Sequence, residues 1–327
     1  RCLTHRQKVY SVAGNVVYFS ALDDPAHVTS GIGDGFLKIA DQNSLGESLT
    51  GLGVYQGNLA FFSARSAQLW NIDPDDTKNA LLQIIGNSGT PFPKSIVEYG
   101  SRDTYYLDRT GVRSLRIRDG QSAAFVSDPG SPMDPFISAH VTGLGPSVQE
   151  KICAAIEPSD GRYWLAAGNR IYVLSYFPSA KISAWSYYQN SFNTSELAVL
   201  LGRIFGRSGD TIYLYGGVDN ATYPADGVNN VFVEFPYLDA GKPATLKNWK
   251  GIDIACTGVW DFEMLTDPAD EAVRSTIGTF RRTSWKEGSI PFSAHTTHVA
   301  PRLVSRGAGP ATLSAMALHY AGTSDPN

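Results

Sequence analysis

Gly14-Asn15-Val16-Val17-Tyr18-Phe19-Ser20 is followed 43 residues later by Gly57-Asn58-Leu59-Ala60-Phe61-Phe62-Ser63. Both stretches are a glycine, a polar turn residue, and then a run of apolar and aromatic residues suited to a pleated, buried strand. Ser101-Arg102-Asp103-Thr104-Tyr105-Tyr106-Leu107 is a looser third copy. Gly161-Arg162-Tyr163-Trp164-Leu165 and Gly168-Asn169-Arg170-Ile171-Tyr172-Val173-Leu174 read as two arms of one hairpin, and Gly209-Asp210-Thr211-Ile212-Tyr213-Leu214-Tyr215 closes the series. The copies begin at 14, 57, 101, 161 and 209, so they are spaced by 43, 44, 60 and 48 residues. A period of this length, with several strands per unit, is the mark of a β-propeller blade. A β-sandwich with recurrent Gly-Asn turns is the competing architecture. The long interval holds the Pro/Gly-rich stretch from Asp128-Pro129-Gly130 to Gly145-Pro146, which reads as an inserted loop.

The composition agrees. The 327 residues include 32 Gly and 18 Pro, 11% are aromatic, and only 18% are charged, below the roughly 25% of ordinary soluble domains. Many turns and aromatic strands fit these figures, and a helical bundle or coiled coil does not. The 43% of hydrophobic residues supplies a sizeable core. The fold class expected is therefore all-β: propeller-like four-stranded antiparallel blades over residues 1–235, with a C-terminal β domain or closing blade over 236–327 and little helix. The change of texture falls at Phe235-Pro236-Tyr237, and later strands are expected in Gly251–Leu265, Ser275–Trp285 and Ala311–Tyr320. One short helix is expected at Ala80–Gly86, because Asp73-Pro74-Asp75-Asp76 offers a cap, a first-turn proline and acidic residues, and Gly86 a stop.

Charge and motifs narrow the function by subtraction. Twenty-seven Lys and Arg against 31 Asp and Glu give a net charge of −4, without the positive face that grips nucleic-acid phosphates. Cys2, Cys153 and Cys256 form no CxxC pair, so neither a structural zinc nor a disulfide framework is expected. No apolar run reaches the ~18 residues of a membrane helix, and no secretory signal is read at the start, where Arg1 stands in place of Met. The Asp73–Asp76 cluster lacks the glycine and distal glutamate of a calcium loop. Arg113, Arg116 and Arg118 alternate as on a strand, a pattern that suits either a solvated edge or the arginine cluster of a sialidase-like glycosidase. His295 and His298, three apart in extended chain, point to opposite faces and do not share a metal. Gly86-Asn87-Ser88-Gly89-Thr90 misses the nucleophile elbow, and Gly31-x-Gly33-x-Gly35 misses the dinucleotide fingerprint. The sequons at Asn193 and Asn220 read as accidental. No catalytic, cofactor or metal residue is assigned, and no enzyme activity or cofactor is expected.

In their order, several of these phrases resemble the hub or nozzle proteins of short-tailed bacteriophages. The matching stretches are Val17-Tyr18-Phe19-Ser20-Ala21-Leu22-Asp23-Asp24-Pro25, Gly53–Ser63 with Gln68-Leu69-Trp70, Gly86–Thr90, Tyr106–Leu115 and Lys181–Ser186. They cover roughly residues 10–190. The resemblance implies a virion structural protein built around a propeller, made in the host cytoplasm and assembled as a homohexameric ring below the portal and its adaptor protein. Such a ring forms the lower part of the DNA ejection conduit and carries tail fibres, spikes or a needle, with DNA passing without specific binding and no membrane partner. Family members have more sequence before the first blade, so an attachment domain is not accounted for. Phe92-Pro93 and Met133–Pro146 are the expected neighbour contacts. The alternative is a propeller glycosidase or glycan-binding module acting on host surface polysaccharide, which needs Arg, Tyr and Asp/Glu converging at the propeller axis.

Overall fold

The structure, a computed structural model, describes residues 2–28, 33–39, 46–100, 103–119, 128–177, 182–218, 231–270, 272–284, 290–305 and 311–322. The chain divides into two compact units, Arg1–Tyr215 and Gly216–Asn327. The first is a succession of antiparallel meanders. Strands β1 (Cys2–His5), β2 (Lys8–Ala13), β3 (Val16–Phe19) and β4 (Gly35–Lys38) form one sheet in chain order, and β5 (Leu49–Tyr55), β6 (Asn58–Ser63), β7 (Ser66–Asn71) and β8 (Ala80–Gly86) form the next. Then follow β9 (Val97–Tyr99), β10 (Asp103–Leu107) and β11 (Val112–Ser114); β12 (Cys153–Glu157), β13 (Arg162–Ala167), β14 (Arg170–Phe177) and β15 (Ile182–Gln189); and β16 (Glu196–Leu200), β17 (Arg203–Ser208) and β18 (Thr211–Leu214). The third and fifth sheets show three strands among the described residues. First strands begin at residues 2, 49, 97, 153 and 196, and those of consecutive sheets lie side by side. This is the propeller-like repeat of an all-β chain.

The turns explain the glycine-led phrase. Gly14, Gly168 and Gly209 each have a positive φ at the first of two central hairpin positions, the pattern of a type II′ turn whose twist matches the strands it joins. Central strands of the inner sheets are buried on both faces, because each inner sheet sits between two others. On β6, Leu59 and Phe61 pack with Tyr10, Val17 and Phe19 of the first sheet, while Ala60 and Phe62 pack with Ile96 and Tyr106 of the third. On β13, Tyr163 and Leu165 meet Leu107 and Val112 of the third sheet, and Trp164 and Ala166 meet Leu197 and Ile204 of the fifth. Strand period 2 thus sends alternate side chains into different cores. Each large apolar side chain so placed contributes about 1.5–3 kcal/mol.

Two expectations are corrected. Ala80–Gly86 is β8, paired with β7, and not a helix: the Asp75 cap does start a 3₁₀ turn, at Asp76–Lys78, but Asn79 ends it and the next seven residues alternate in exposure along the sheet. The 128–146 stretch is not a plain loop. It contains α2 (Asp134–Gly143), whose Ile137 and Val141 are buried against the third and fourth sheets, and α3 (Pro146–Gln149). An earlier helical turn, α1 (Leu115–Asp119), follows β11 directly.

In the second unit, β19 (Val231–Glu234), β20 (Lys247–Thr257), β21 (Trp260–Leu265), β22 (Arg274–Phe280), β23 (Ile290–Thr296), β24 (Ala300–Ser305) and β25 (Thr312–Gly322) form two sheets, ordered β19-β24-β21-β22 and β23-β20-β25. Trp249, Ile252 and Ile254 of β20 share a core with Trp260, Phe262 and Leu303 of the other sheet, as in a β-sandwich. Strand β19 lies ahead of the texture change at 235 yet pairs along β24. The Lys247 ammonium is fully buried and donates to the carbonyls of Lys242 (2.6 Å), Thr245 (2.9 Å) and Thr297 (2.9 Å). Those three bonds use every proton it carries.

Candidate functional site

The three arginines singled out by alternation do not line one strand. Arg113 is the middle residue of β11 and is buried, whereas Arg116 and Arg118 sit on α1. Arg113 Nη1 donates to Asp134 Oδ2 (2.5 Å) and to the Val112 carbonyl (3.1 Å), and Nη2 donates to Thr110 Oγ1 (2.5 Å). Its Nε lies 3.3 Å from Asp108 and 3.7 Å from Asp128 without a hydrogen bond to either. Burial alone would lower the guanidinium's pKa; Asp134, Asp108 and Asp128 outweigh it and hold it above its ordinary value. Three carboxylates from β10's exit, the 128 turn and α2 thus converge on one cation, and Arg118 adds a second partner to Asp128. The charges compensate one another inside the cluster, which fastens the third sheet to α2 rather than presenting arginines to a ligand.

Other candidate residues are also absorbed locally. Asp73 and Asp75 accept from the backbone N–H groups of Asp75 (3.0 Å) and Thr77 (3.2 Å), so this acidic run folds on itself. His295 Nδ1 meets Asn248 Oδ1 at 2.5 Å and His298 Nδ1 meets Thr297 Oγ1 at 2.8 Å, on separate partners. Among the described residues no three His, Cys, Asp or Glu side chains are grouped to hold a metal ion. In Gly86–Thr90, Ser88 bonds the Tyr106 hydroxyl and Thr90 Oγ1 bonds the Leu107 carbonyl, so this family-like motif ties the second sheet to the third. Phe92 is buried in the core and cannot offer a neighbour contact; the helix inside Met133–Pro146 turns Ile137 and Val141 inward and leaves Phe136 exposed. Asn220 lies outside the described residues.

One constellation was missed in the sequence. In the second unit Ser284 Oγ donates to Asp253 Oδ1 (3.2 Å), and His319 Nε2 meets Asp253 Oδ2 (2.6 Å). The carboxylate stands between hydroxyl and imidazole, so the histidine is not placed to take the serine's proton, as nucleophilic catalysis requires. Residues 31 and more apart carry it, and no local spacing signals such a group.

A half-open pocket of about 160 Å³ lies where the first strands meet, lined by Leu3, Leu52, Val54 and Ile96 with the exposed Cys2 and Glu98, and more of its open surface is polar than apolar. The β16–β17 hairpin ends in Val199, Leu200 and Leu201, all exposed, and Leu201 is 92% exposed. Sequence reasoning passed over this tip because a short Leu-Leu run inside an apolar chain reads as core.

No protein-family model and no characterised protein matches the chain. Among solved structures it is similar to PorZ, a surface component of the type-IX secretion system of Porphyromonas gingivalis, at 11% identity and a TM-score of 0.40 over 65% of this chain and 26% of that one. It is also similar to the extracellular domain of BT4673 from B. thetaiotaomicron, at 11% identity and a TM-score of 0.39 over 84% of this chain and 40% of that one. The chain spans well under half of either protein, and likeness this distant bears on no function.

Proposed function

We propose that the chain is a structural subunit of a short bacteriophage tail, of the hub or nozzle kind, forming a ring around the DNA ejection conduit and carrying other tail proteins. The observation that supports this reading most is the coincidence of the family-like motifs with the blade repeat. Val17–Ser20 contains most of β3, Gly53–Ser63 spans the β5–β6 hairpin, Tyr106–Leu115 spans β10 to β11, and Ile182–Ser186 opens β15, in the family's order. The phrases therefore mark the sheets that build the body of such a protein rather than scattered turns. A ring of this kind works mechanically. Its wall must let DNA slide, and every phosphate held by Lys or Arg slows sliding; a net charge of −4 is in keeping with that demand. The homohexameric state, an adaptor above and fibres, spikes or a needle around it belong to the same proposal.

Negative-stain microscopy of the purified protein, with mass spectrometry of virions, tests it. Rings with a central channel and the chain's peptides in purified particles are expected. Persistent monomers at every concentration, absent from particles, would overturn the reading. Saturable cleavage of host envelope polysaccharide would favour the glycosidase instead.

A further inference from the structure

Cations from the β1–β2 hairpin hold the first sheet to the second. Arg6 donates to the carbonyls of Gly57, in the β5–β6 turn, and Ile72, just after β7. Lys8 is 1% exposed, and its ammonium donates to the Pro74 carbonyl (3.1 Å) beyond β7 and to that of Gly33 (2.6 Å) ahead of β4. The same ammonium lies 4.9 Å from the centre of the Phe19 ring. The turn that carries these anchors is strained. Arg6 and Gln7 stand at φ 45° and 65°, in the left-handed region that suits Gly and Asn and penalises other side chains. Such a turn persists only while its surroundings over-determine it, so loss of an anchor favours opening.

His5 sits among these anchors. It is directly across from Lys8 in the β1–β2 register and next to Arg6 in the chain. Its ring bonds the Gly57 carbonyl, the oxygen that Arg6 also uses, and its Nε2 is buried without a partner. Arg6 and Lys8 are the charges of its own hairpin, and the β5–β6 turn, Gln56-Gly57, brings none. Four carboxylates lie on the other segments packed nearby. Asp23, exposed, follows β3 and gives its N–H to the Gln7 carbonyl (2.9 Å), and Asp34 follows Gly33. Asp73 follows Ile72 and accepts from the Asp75 N–H (3.0 Å), and Glu98 lines the pocket at Leu3. None of the four reaches Nε2. A proton there would make a buried N–H with no acceptor and a third positive charge beside Arg6 and Lys8. Burial, then Arg6, accordingly holds the imidazole below its ordinary pKa of 6.5.

We infer that the β1–β2 hairpin is an acid-released latch on the second sheet: a proton taken from solvent at His5 frees Arg6 and Lys8 from the Gly57, Ile72 and Pro74 carbonyls and opens the seam between the first two sheets. Opening lets water reach the ring, so the open form binds the proton more tightly and acid favours it. The effect is absent well above pH 6.5 and grows as the pH falls below that value. The latch needs no second subunit, so its failure leaves the ring proposal untouched.

Hydrogen exchange read by mass spectrometry on the full chain, at pH 7.5 and 5.0 and corrected for the intrinsic rate, tests this. Peptides from β1 to β3 and from the exit of β7 should lose protection about five-fold or more at the lower pH. Peptides from β20 and β21 serve as the internal control. His5→Gln, neutral at both pH values, should remove the loss, and His140→Gln should leave it in place. An equal loss in His5→Gln, or no loss in the unsubstituted protein, overturns the latch. If His5→Gln is open at both pH values, the ring resonances of His5 in the ¹³C-labelled unsubstituted protein decide. A titration midpoint below 6.5 upholds the latch, and one at or above 6.5 overturns it.

Discussion

Replacing Arg113 by methionine tests whether the carboxylate cluster is the fastening of the third sheet. Methionine keeps the length of the buried stem and removes only the guanidinium. Asp108 keeps donors from Thr110 (2.5 Å to its N–H, 2.7 Å to its hydroxyl) and Gly111 (2.9 Å), and Asp128 keeps Arg118. Asp134 keeps only the Val112 N–H, at 3.2 Å on Oδ1, and its Oδ2 is stranded. Removing one partner from a buried pair costs about 3–5 kcal/mol, because an uncompensated charge is left behind. The loss should therefore concentrate on Asp134, and Asn in its place should restore at least about 1.5 kcal/mol in the double variant, the worth of one hydrogen bond to a charged group. Denaturant-dependent hydrogen exchange, read by mass spectrometry on peptides from β10 to α2, measures both values, and peptides from β20 and β21 serve as the internal control. A loss under about 1 kcal/mol for Arg113→Met, or no recovery with Asp134→Asn, would refute the argument that the cluster is structural.

Two further outcomes are expected. A Cβ on Gly89 would lie 2.3 Å from the Ser63 carbonyl oxygen and 2.4 Å from the Ser66 nitrogen, both backbone, so Gly89→Ala should destabilise the first unit by about 3 kcal/mol or more in urea unfolding; an effect under 1 kcal/mol would show that the β6–β7 turn yields freely. His140 Nδ1 meets the Tyr172 hydroxyl at 2.7 Å, and burial, then Arg170, lowers its pKa below the ordinary 6.5, so its contribution to stability is complete above about pH 6.5 and is lost as pH falls below that value. His140→Gln should flatten the decline in urea midpoint between pH 7.5 and 5.5, and an unchanged slope would remove His140 from the cause.

The repeat was legible because its signals are local. A turn residue, glycine in most copies, and the apolar and aromatic run after it sit within seven residues of one another, so five sheets announce themselves at spacings of 43 to 60 residues. Elements whose cause is tertiary were not legible. The run Ala80–Gly86 carries a helix's opening signals, yet the free edge of β7 decides its conformation. Helix α2 hides in a Pro/Gly-rich stretch, although Pro135 in its first turn is a helix-start signal. Strands β23 and β24 contain Pro291, His295, Pro301 and Arg302 and lack an unbroken apolar run; they are strands because they flank β20 and β21. At Arg113 the sequence shows the arginine, but its three carboxylates lie 5, 15 and 21 residues away and only the folded chain gathers them.

The same packing that made the blades legible also says where function must lie. On β6 and β13 both faces are consumed, each by a different core, so neither strand has a side chain to spare for a partner. What a stack of such sheets leaves outside is chiefly of two kinds: the outer strands and the hairpin tips. On the outer strands β4 and β8, Phe36, Leu82 and Ile84 are exposed among residues that include a single charge, Lys38, whereas soluble proteins commonly guard edge strands with several. The tip at Leu201 goes further, since it sets an apolar side chain against both solvent and backbone preference. Under the ring reading proposed above, both features are surfaces that a neighbouring subunit would cover.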